Sequence, residues 1–172
     1  MSRKHDRIHV FKMVFQIGYF DDLDLDETFL DYFNSFINAD AEDDEEENAE
    51  AEKVDMDFVK KEFYGTRERL AEIDSILNEN IAGWDTTRLQ KTDLAILRLA
   101  VYEVLFNDDV PVGVAINEAV ELAKAFSSDD SPPFINGILG KISETTAIKE
   151  KRMKKMRNEN VILGTLQDEN HD

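Results

Sequence analysis

The sequence contains no cysteine, and that absence excludes several kinds of chemistry. Without a thiol the chain forms no disulfide, no iron–sulfur cluster and no cysteine-based zinc site, and it has no thiol nucleophile. Long apolar runs are missing too: none approaches the roughly 18 residues that a membrane helix requires, and the N-terminus has no apolar signal segment. We therefore expect a cytoplasmic protein that is neither membrane-spanning nor secreted.

A recognisable catalytic set is also missing. The sequence has no Gly-rich phosphate loop, and no nucleophile, base and orienting group can be assembled from it. His5 and His9 are four residues apart, as in a two-histidine metal site, but no third ligand follows at a matching offset. Nothing in the spacing of the many carboxylates places two of them across a cleft. We expect no enzyme, no cofactor and no metal ion.

The alternation of apolar and polar residues that is typical of strands is absent, so the sequence predicts an all-α fold. Helical periodicity predicts helices over about residues 3–18, 26–38 and 57–80. A short helix should follow, capped by Asp85 or Thr86.

The segment 92–142 predicts three further helices in succession. The first has apolar residues too densely spaced for one amphipathic face, so we expect it to be buried nearly all round. The second follows Pro111. The third should begin at Ser131, whose hydroxyl can cap the first turn, followed by a proline that needs no donor there. Its inward face should consist of Ile135, Ile138, Leu139 and Ile142.

The net charge of −18 is distributed unevenly along the chain. Residues 40–57 contain eleven acids against Lys53 alone, and we expect this part to be a solvated, disordered loop, because it repels itself and has no apolar surface to bury. Bases are concentrated in residues 2–12 and 149–157. Because charges are screened over about 8 Å at physiological salt, such basic patches can act locally despite the acidic total.

These observations predict two small abutting helical bundles with six to seven helices. The N-terminal bundle should span residues 1–83 and include the acidic loop at about 39–57. The C-terminal bundle should span residues 84–148, and residues 149–172 should form a charged, partly disordered tail.

Three features suggest roles for particular residues. Cations at a helix N-terminus are unfavourable to the helix dipole, so the basic residues near Arg3 indicate that an external anion binds there. Phe134 is either an exposed platform on which a base stacks or a staple that packs on a neighbouring helix, and the pattern leaves both open. Arg98 lies in an apolar helix and should pair with a carboxylate, Glu118 or Glu121.

Three blocks in order resemble the NusB family of transcription antitermination factors: AILRLAVYEVL, DVPVGVAINEAVELAKAF and DDSPPFINGILGKI. Trp84, Arg88-Leu89 and the basic helix SRKHDRIHVFKMVFQ fit the same family. The resemblance covers roughly residues 2–20 and 58–146, and it implies the two-bundle helical fold.

The resemblance also implies binding sites. Members bind boxA-type single-stranded RNA through an arginine-rich N-terminus and a phenylalanine block with a preceding aspartate. The matching RNA-binding residues here are Arg3, Lys4, His5, Arg7, Asp130 and Phe134. Asp6 and Pro133 depart from the family pattern. Docking of the ribosomal protein NusE would involve Phe15 and Asp93.

The function implied is suppression of premature termination in ribosomal RNA transcription, by a protein that binds boxA-type RNA and NusE within the transcription complex. A homodimer is an alternative to a monomer. One alternative is a helical protein–protein module without RNA affinity. Another is an RNA-binding subunit that assists a ribosomal RNA methyltransferase on a separate chain.

Deletion of residues 42–52 should leave the fold intact. The deletion removes no apolar residue larger than alanine, and each halving of a flexible loop changes the closure entropy by only about 0.6 kcal/mol. The melting temperature should stay constant or rise slightly, because carboxylate repulsion is relieved. A marked fall in melting temperature would show that the segment is packed.

Overall fold

The computed structural model describes residues 3–17, 27, 29–32, 34–35, 54–83, 85–145 and 150–158. Within these ranges the regular elements are helices and no strand occurs, so the all-α prediction is confirmed. The predicted helix 26–38 is described only in part, and the acidic segment 40–53, Trp84 and residues 159–172 lie outside the described residues. None of the described helices is long and apolar enough to cross a bilayer.

The described helices follow one another with short connections. They are α1 (Arg3–Ile17), α2 (Met56–Glu68), α3 (Leu70–Asn80), a 3₁₀ turn (Thr86–Arg88), α4 (Lys91–Leu105), α5 (Val112–Phe126) and α6 (Ser131–Ser143). Residues 150–158 form one more helix, which we call the terminal helix.

Helix α4 is the centre of the molecule. Its side chains are buried on nearly every side, as the density of apolar residues predicted. Helices α1, α2, α3, α5 and α6 all pack against it. One apolar cluster therefore contains residues from both sides of position 83, and burial of each large aliphatic side chain in it contributes about 1.5–3 kcal/mol.

Helix α6 has the predicted inward face but a different start. Ile135, Ile138, Leu139 and Ile142 are all buried. The prediction that Ser131 caps the helix is wrong: Asp130 occupies the cap position, without a side-chain capping bond, and Ser131 is the first helical residue. The Ser131 hydroxyl instead donates to Asp93 Oδ2 of α4 at 3.0 Å. A buried carboxylate is a stronger acceptor than a helix end, so the hydroxyl donates its hydrogen bond to it.

The predicted single helix over 57–80 is also wrong, because the helix breaks at Arg69. That residue leaves helical geometry at φ −104° and ψ 13° and ends α2. One turn earlier, the hydroxyl of Thr66 donates to the carbonyl of Glu62 at 2.7 Å, a contact that bends helices. The Arg69 guanidinium then lies 4.4 Å from the centre of the Phe106 ring. The break lets α3 turn Ile73 and Leu77 into the core.

Two local predictions are resolved by side-chain contacts. Asp85 caps the 3₁₀ turn by accepting from the Thr87 amide at 2.9 Å, as expected. Arg98 does pair with a carboxylate, but the predicted partners were wrong: it makes two bonds of 2.8 Å to Asp74 of α3. A bidentate pair of this kind fixes the orientation of α3 on α4.

Replacement of Gly65 by alanine should destabilise the protein. A Cβ at this position of α2 would overlap with the ring and hydroxyl of Tyr102 on α4, and overpacking of this kind costs about 1–3 kcal/mol. Gly137→Ala is the matched control, because nothing lies within 4 Å of its added Cβ, and alanine should stabilise that helix by about 0.5–1 kcal/mol. Urea unfolding measures both. Equal effects of the two substitutions would mean that α2 and α4 are not in close contact at Gly65.

Candidate nucleic-acid interface

The basic residues of α1 that were predicted to bind RNA lie on different sides of the helix. Arg7 is only 4% exposed, and its Nε donates to Glu103 Oε1 of α4 at 2.8 Å. Both side chains of this pair are buried, so the guanidinium is committed to the core. The placement does not favour direct contact between Arg7 and RNA.

Arg3 also has an anionic partner within the chain. Its Nη1 lies 2.6 Å from Asp55 Oδ2, at the start of α2, and its guanidinium lies 4.5 Å from the centre of the Phe58 ring. The Phe58 amide, and then the Arg3 guanidinium, lower the pKa of Asp55. We expected an external anion near the N-terminus of α1. For Arg3 and Arg7 the anions are instead carboxylates of the same chain, Asp55 and Glu103. The Arg3 side chain is still 55% exposed and could exchange Asp55 for another anion.

Lys4 is on the open face of α1. It is exposed, and among the described residues it forms no ion pair. Lys12, two helical turns further on, shares this face and is likewise exposed. Lys12 was not predicted as a site residue, although its spacing of eight residues from Lys4 was the available signal. Phe15, the predicted NusE contact, is half-buried one turn beyond.

His5 is half-buried and lies edge-on to His9, with 5.0 Å between ring centres. His9 is buried, and its Nδ1 is 3.0 Å from the hydroxyl of Tyr32. Burial raises the pKa of Tyr32 to about 12, so the hydroxyl stays protonated. The pair thus helps to close the inner side of α1, and His5 presents only part of its ring to solvent.

Asp93 organises the connection between α5 and α6. It is 6% exposed, and its two carboxylate oxygens accept hydrogen bonds from Ser127 Oγ at 2.5 Å and Ser131 Oγ at 3.0 Å. Ser128 Oγ lies 3.0 Å from Ser131 Oγ and extends the network. The predicted partner-binding residue is therefore mainly a buried anchor, which holds this connection on the N-terminal end of α4.

The connection presents two aromatic rings to solvent. Phe134 is 37% exposed, which favours the stacking platform over the fully packed staple. Phe126 is 40% exposed, and its ring centre lies 5.0 Å from that of Phe11 on α1. Phe126 was not predicted as a site residue. Asp130 lies between Phe126 and Phe134 in the sequence. It is exposed, and its side chain makes no capping hydrogen bond.

The structure joins one part of the predicted site and separates another. The contact between Phe11 and Phe126 links the Lys12 region of α1 to the connection that presents Asp130 and Phe134. Arg7, in contrast, reaches α4 at Glu103, about 15 Å along the helix from Asp93. We call the surface formed by Lys4, Lys12, Phe126, Asp130 and Phe134 the α1 track. It offers ammonium groups for phosphates and aromatic faces for unpaired bases.

A buried acidic cluster lies beneath the N-terminal end of α1. Glu62 of α2 is fully buried, accepts a hydrogen bond from the Asn107 side-chain amide, and lies close to Glu103. Burial, and then repulsion by Glu103, raise the pKa of Glu62 to about 8. Burial also raises the pKa of Glu103, although the adjacent Arg7 opposes this. One guanidinium cannot neutralise two buried carboxylates, so Glu62 holds a proton at neutral pH.

Comparisons with known proteins agree on one family. The sequence model of the NusB family matches residues 4–144. The transcription antitermination protein NusB of Lachnoclostridium phytofermentans is 41% identical over 142 residues, which cover 83% of this chain and 98% of that protein. A solved structure of T. maritima NusB has a TM-score of 0.69 at 33% identity, and the match covers 89% of this chain and 98% of that one.

A second solved structure contains the antitermination factors NusB and NusE in complex with double-stranded RNA. Its matching chain has a TM-score of 0.63 at 21% identity, and the match covers 81% of this chain and 94% of that one. At this identity the likeness concerns the fold.

The buried cluster predicts an unusual dependence of stability on pH. The native state keeps a proton on Glu62 that the unfolded chain releases above its ordinary pKa of 4.5. The free energy of unfolding should therefore fall as the pH rises from 4.5 to about 8, by at most about 1.4 kcal/mol per pH unit from this group. Glu62→Gln should flatten the dependence, because the amide stays neutral.

Urea unfolding at several pH values measures this effect. Glu79→Gln is the control, because it makes the same chemical change at an exposed position. If Glu62→Gln and Glu79→Gln gave the same pH profile as the unsubstituted protein, Glu62 would be ionised in the native state.

Proposed function

The chain belongs to the NusB family, and from this premise we propose that it is an RNA-binding transcription antitermination factor of the cytoplasm. It binds boxA-type single-stranded RNA, pairs with NusE in the transcription complex, and reduces premature termination during ribosomal RNA transcription. The observation that supports this best is in the α1 track: the exposed Lys12 follows Phe11 in α1, and the Phe11 ring contacts that of the exposed Phe126.

The track suggests how RNA is held. Lys4 and Lys12 neutralise phosphates along α1, and each such contact adds about 0.7 to the log–log salt slope on single strands. Phe134 and Phe126 provide faces for unpaired bases, each worth about 1–3 kcal/mol. Asp130 is an acceptor that can bond the exocyclic amino group of a base, because its carboxylate does not cap its own helix. The lysines and the rings give affinity, and Asp130 gives preference for one sequence.

The two arginines act differently in this proposal. Arg7 holds α1 against α4 through Glu103, and so sets the position of the lysines without touching RNA. Arg3 exchanges Asp55 for a phosphate when RNA arrives, because the pair is partly exposed and weak in water. His5 contributes its exposed edge next to Lys4.

NusE docks, in this proposal, where α1 ends. Phe15 is half-buried there and leaves part of its ring for a partner. Asp93 acts through the serines that it anchors rather than by direct contact, since it is almost fully buried. The NusB–NusE–RNA complex among the solved structures supports a partner of this kind.

RNA binding by substituted proteins tests the track. Phe134→Ala should weaken binding of a boxA-type RNA by about 1–3 kcal/mol, with an unchanged melting temperature. Lys4→Ala combined with Lys12→Ala should lower the salt slope by about 0.7 for each lost contact. Lys60→Ala combined with Arg88→Ala is the control, because it removes the same charge from exposed positions elsewhere.

Each outcome separates the proposal from its rivals. Equal losses in the control pair would assign the effect to overall charge. A loss of stability without loss of affinity for Phe134→Ala would make the residue a packing element. Absence of any RNA binding by the unsubstituted chain would favour the protein–protein module, whereas binding without boxA preference would favour the methyltransferase subunit.

A further inference from the structure

The terminal helix, residues 150–158, lies beyond residue 144, where the match to the sequence model of the NusB family ends. It carries one acid, Glu150, and five cations: Lys151, Arg152, Lys154, Lys155 and Arg157. A helix this basic, in a chain with a net charge of −18, is the strongest local reversal of charge among the described residues. The match to the sequence model of the family therefore says nothing about the role of this helix.

Lys151 anchors the terminal helix to the end of α4. Its Nζ donates to the carbonyl of Val104 at 3.2 Å and to that of Asn107 at 2.9 Å. These carbonyls lie where α4 ends, and there an α-helix leaves oxygens without internal partners and a partial negative charge. The ammonium also lies 3.4 Å from Asp108. Lys151 is thus fully engaged, and the rest of the helix is held in place by it.

A groove of about 530 Å³ separates the terminal helix from the end of α4. Lys154 and Lys155 line it one turn beyond Lys151, together with Asn158. Both lysines are exposed and form no ion pair with another described residue. The single acid of the lining, Asp108, is the one that already faces Lys151.

The opposite wall of the groove is apolar and aromatic. Leu105 and Phe106 form it, and the Arg69 guanidinium lies over the Phe106 ring at 4.4 Å from its centre. Exposed lysines that face an apolar and aromatic wall, in a groove open to solvent, are the arrangement by which proteins hold single-stranded nucleic acid without reading its sequence. An acidic protein segment would use the lysines but has no need of an aromatic wall.

The groove, which we call the terminal groove, lies at the same end of α4 as the start of α1. Arg7 reaches α4 at Glu103, one helical turn before Asn107, whose carbonyl Lys151 binds. This shared end of α4 favours the same ligand on both surfaces.

We propose that the terminal groove is a second RNA-binding site, which takes the phosphodiester backbone of single-stranded RNA next to the boxA-type segment. The inference rests on the proposed function and extends it. Lys154 and Lys155 bind phosphates, and the wall formed by Leu105 and Phe106 offers apolar surface to the adjoining nucleotide. The site adds affinity for any sequence and leaves the preference for boxA unchanged, because contacts to phosphates carry no sequence information.

The test compares two double variants on one helix. Lys154→Ala with Lys155→Ala removes the two groove cations, whereas Arg152→Ala with Arg157→Ala removes equal charge from positions outside the groove lining. Binding is measured against salt for a short boxA-type RNA and for the same RNA extended by about ten nucleotides on either side. The groove variant should lower the salt slope for the extended RNA by about 1.4, from two lost contacts at about 0.7 each, and should not change it for the short RNA. The control should change both slopes less.

Four results would overturn the proposal: equal effects of the two variants, an unchanged slope, an equal effect on the short RNA, or loss of boxA preference in the groove variant. Its failure is distinguishable from that of the proposed function. If the unsubstituted chain binds boxA-type and scrambled RNA equally, the proposed function fails. The salt slope for the extended RNA in the groove variant still shows whether the terminal groove binds RNA. If boxA preference is present and the groove variant behaves like the unsubstituted chain, the groove alone fails.

Discussion

Helix α4 is surrounded by other helices on nearly every side, and each polar group that it carries into the core must therefore find its partner inside the protein. Asp93 is satisfied by two serine hydroxyls near its first turn, and Arg98 by Asp74 in its middle. Glu103 is satisfied by Arg7 near its end. These three contacts fix the α5–α6 connection, α3 and α1, in that order along the helix.

The candidate RNA surface follows from the same constraint. Because Asp93 holds the two serines, Phe134 and Asp130 are presented on a rigid connection rather than on a loose loop. Because Arg7 is drawn inward by Glu103, the open face of α1 is left to Lys4 and Lys12. A buried ion pair thus decides which cations of one short helix meet the solvent, and its second carboxylate neighbour, Glu62, makes the same region sensitive to pH.

Much of the fold could be predicted from periodicity, since helical spacing states which residues share a face. The burial of α4 and the inward face of α6 follow from it directly. Partners distant in sequence could not be predicted: Glu103 is 96 residues from Arg7, and Asp74 was missed for Arg98. The break at Arg69 was missed as well, because apolar spacing continues through it. For the site, the family resemblance implied Lys4, Asp130, Phe134 and Arg7 as RNA contacts. The structure exposes the first three and buries Arg7 against Glu103, and a charge pattern does not state which basic residue a core carboxylate will bury.

A preference of this chain for one RNA sequence is measured by the ratio of two dissociation constants. They are those for a boxA-type RNA and for a scrambled RNA of equal length and composition, measured at several salt concentrations with and without NusE. We expect at least about a tenfold preference for the boxA-type RNA, equivalent to about 1.4 kcal/mol, that persists as salt is raised, and tighter boxA binding with NusE. Equal affinities for the two RNAs at every salt concentration would contradict this expectation.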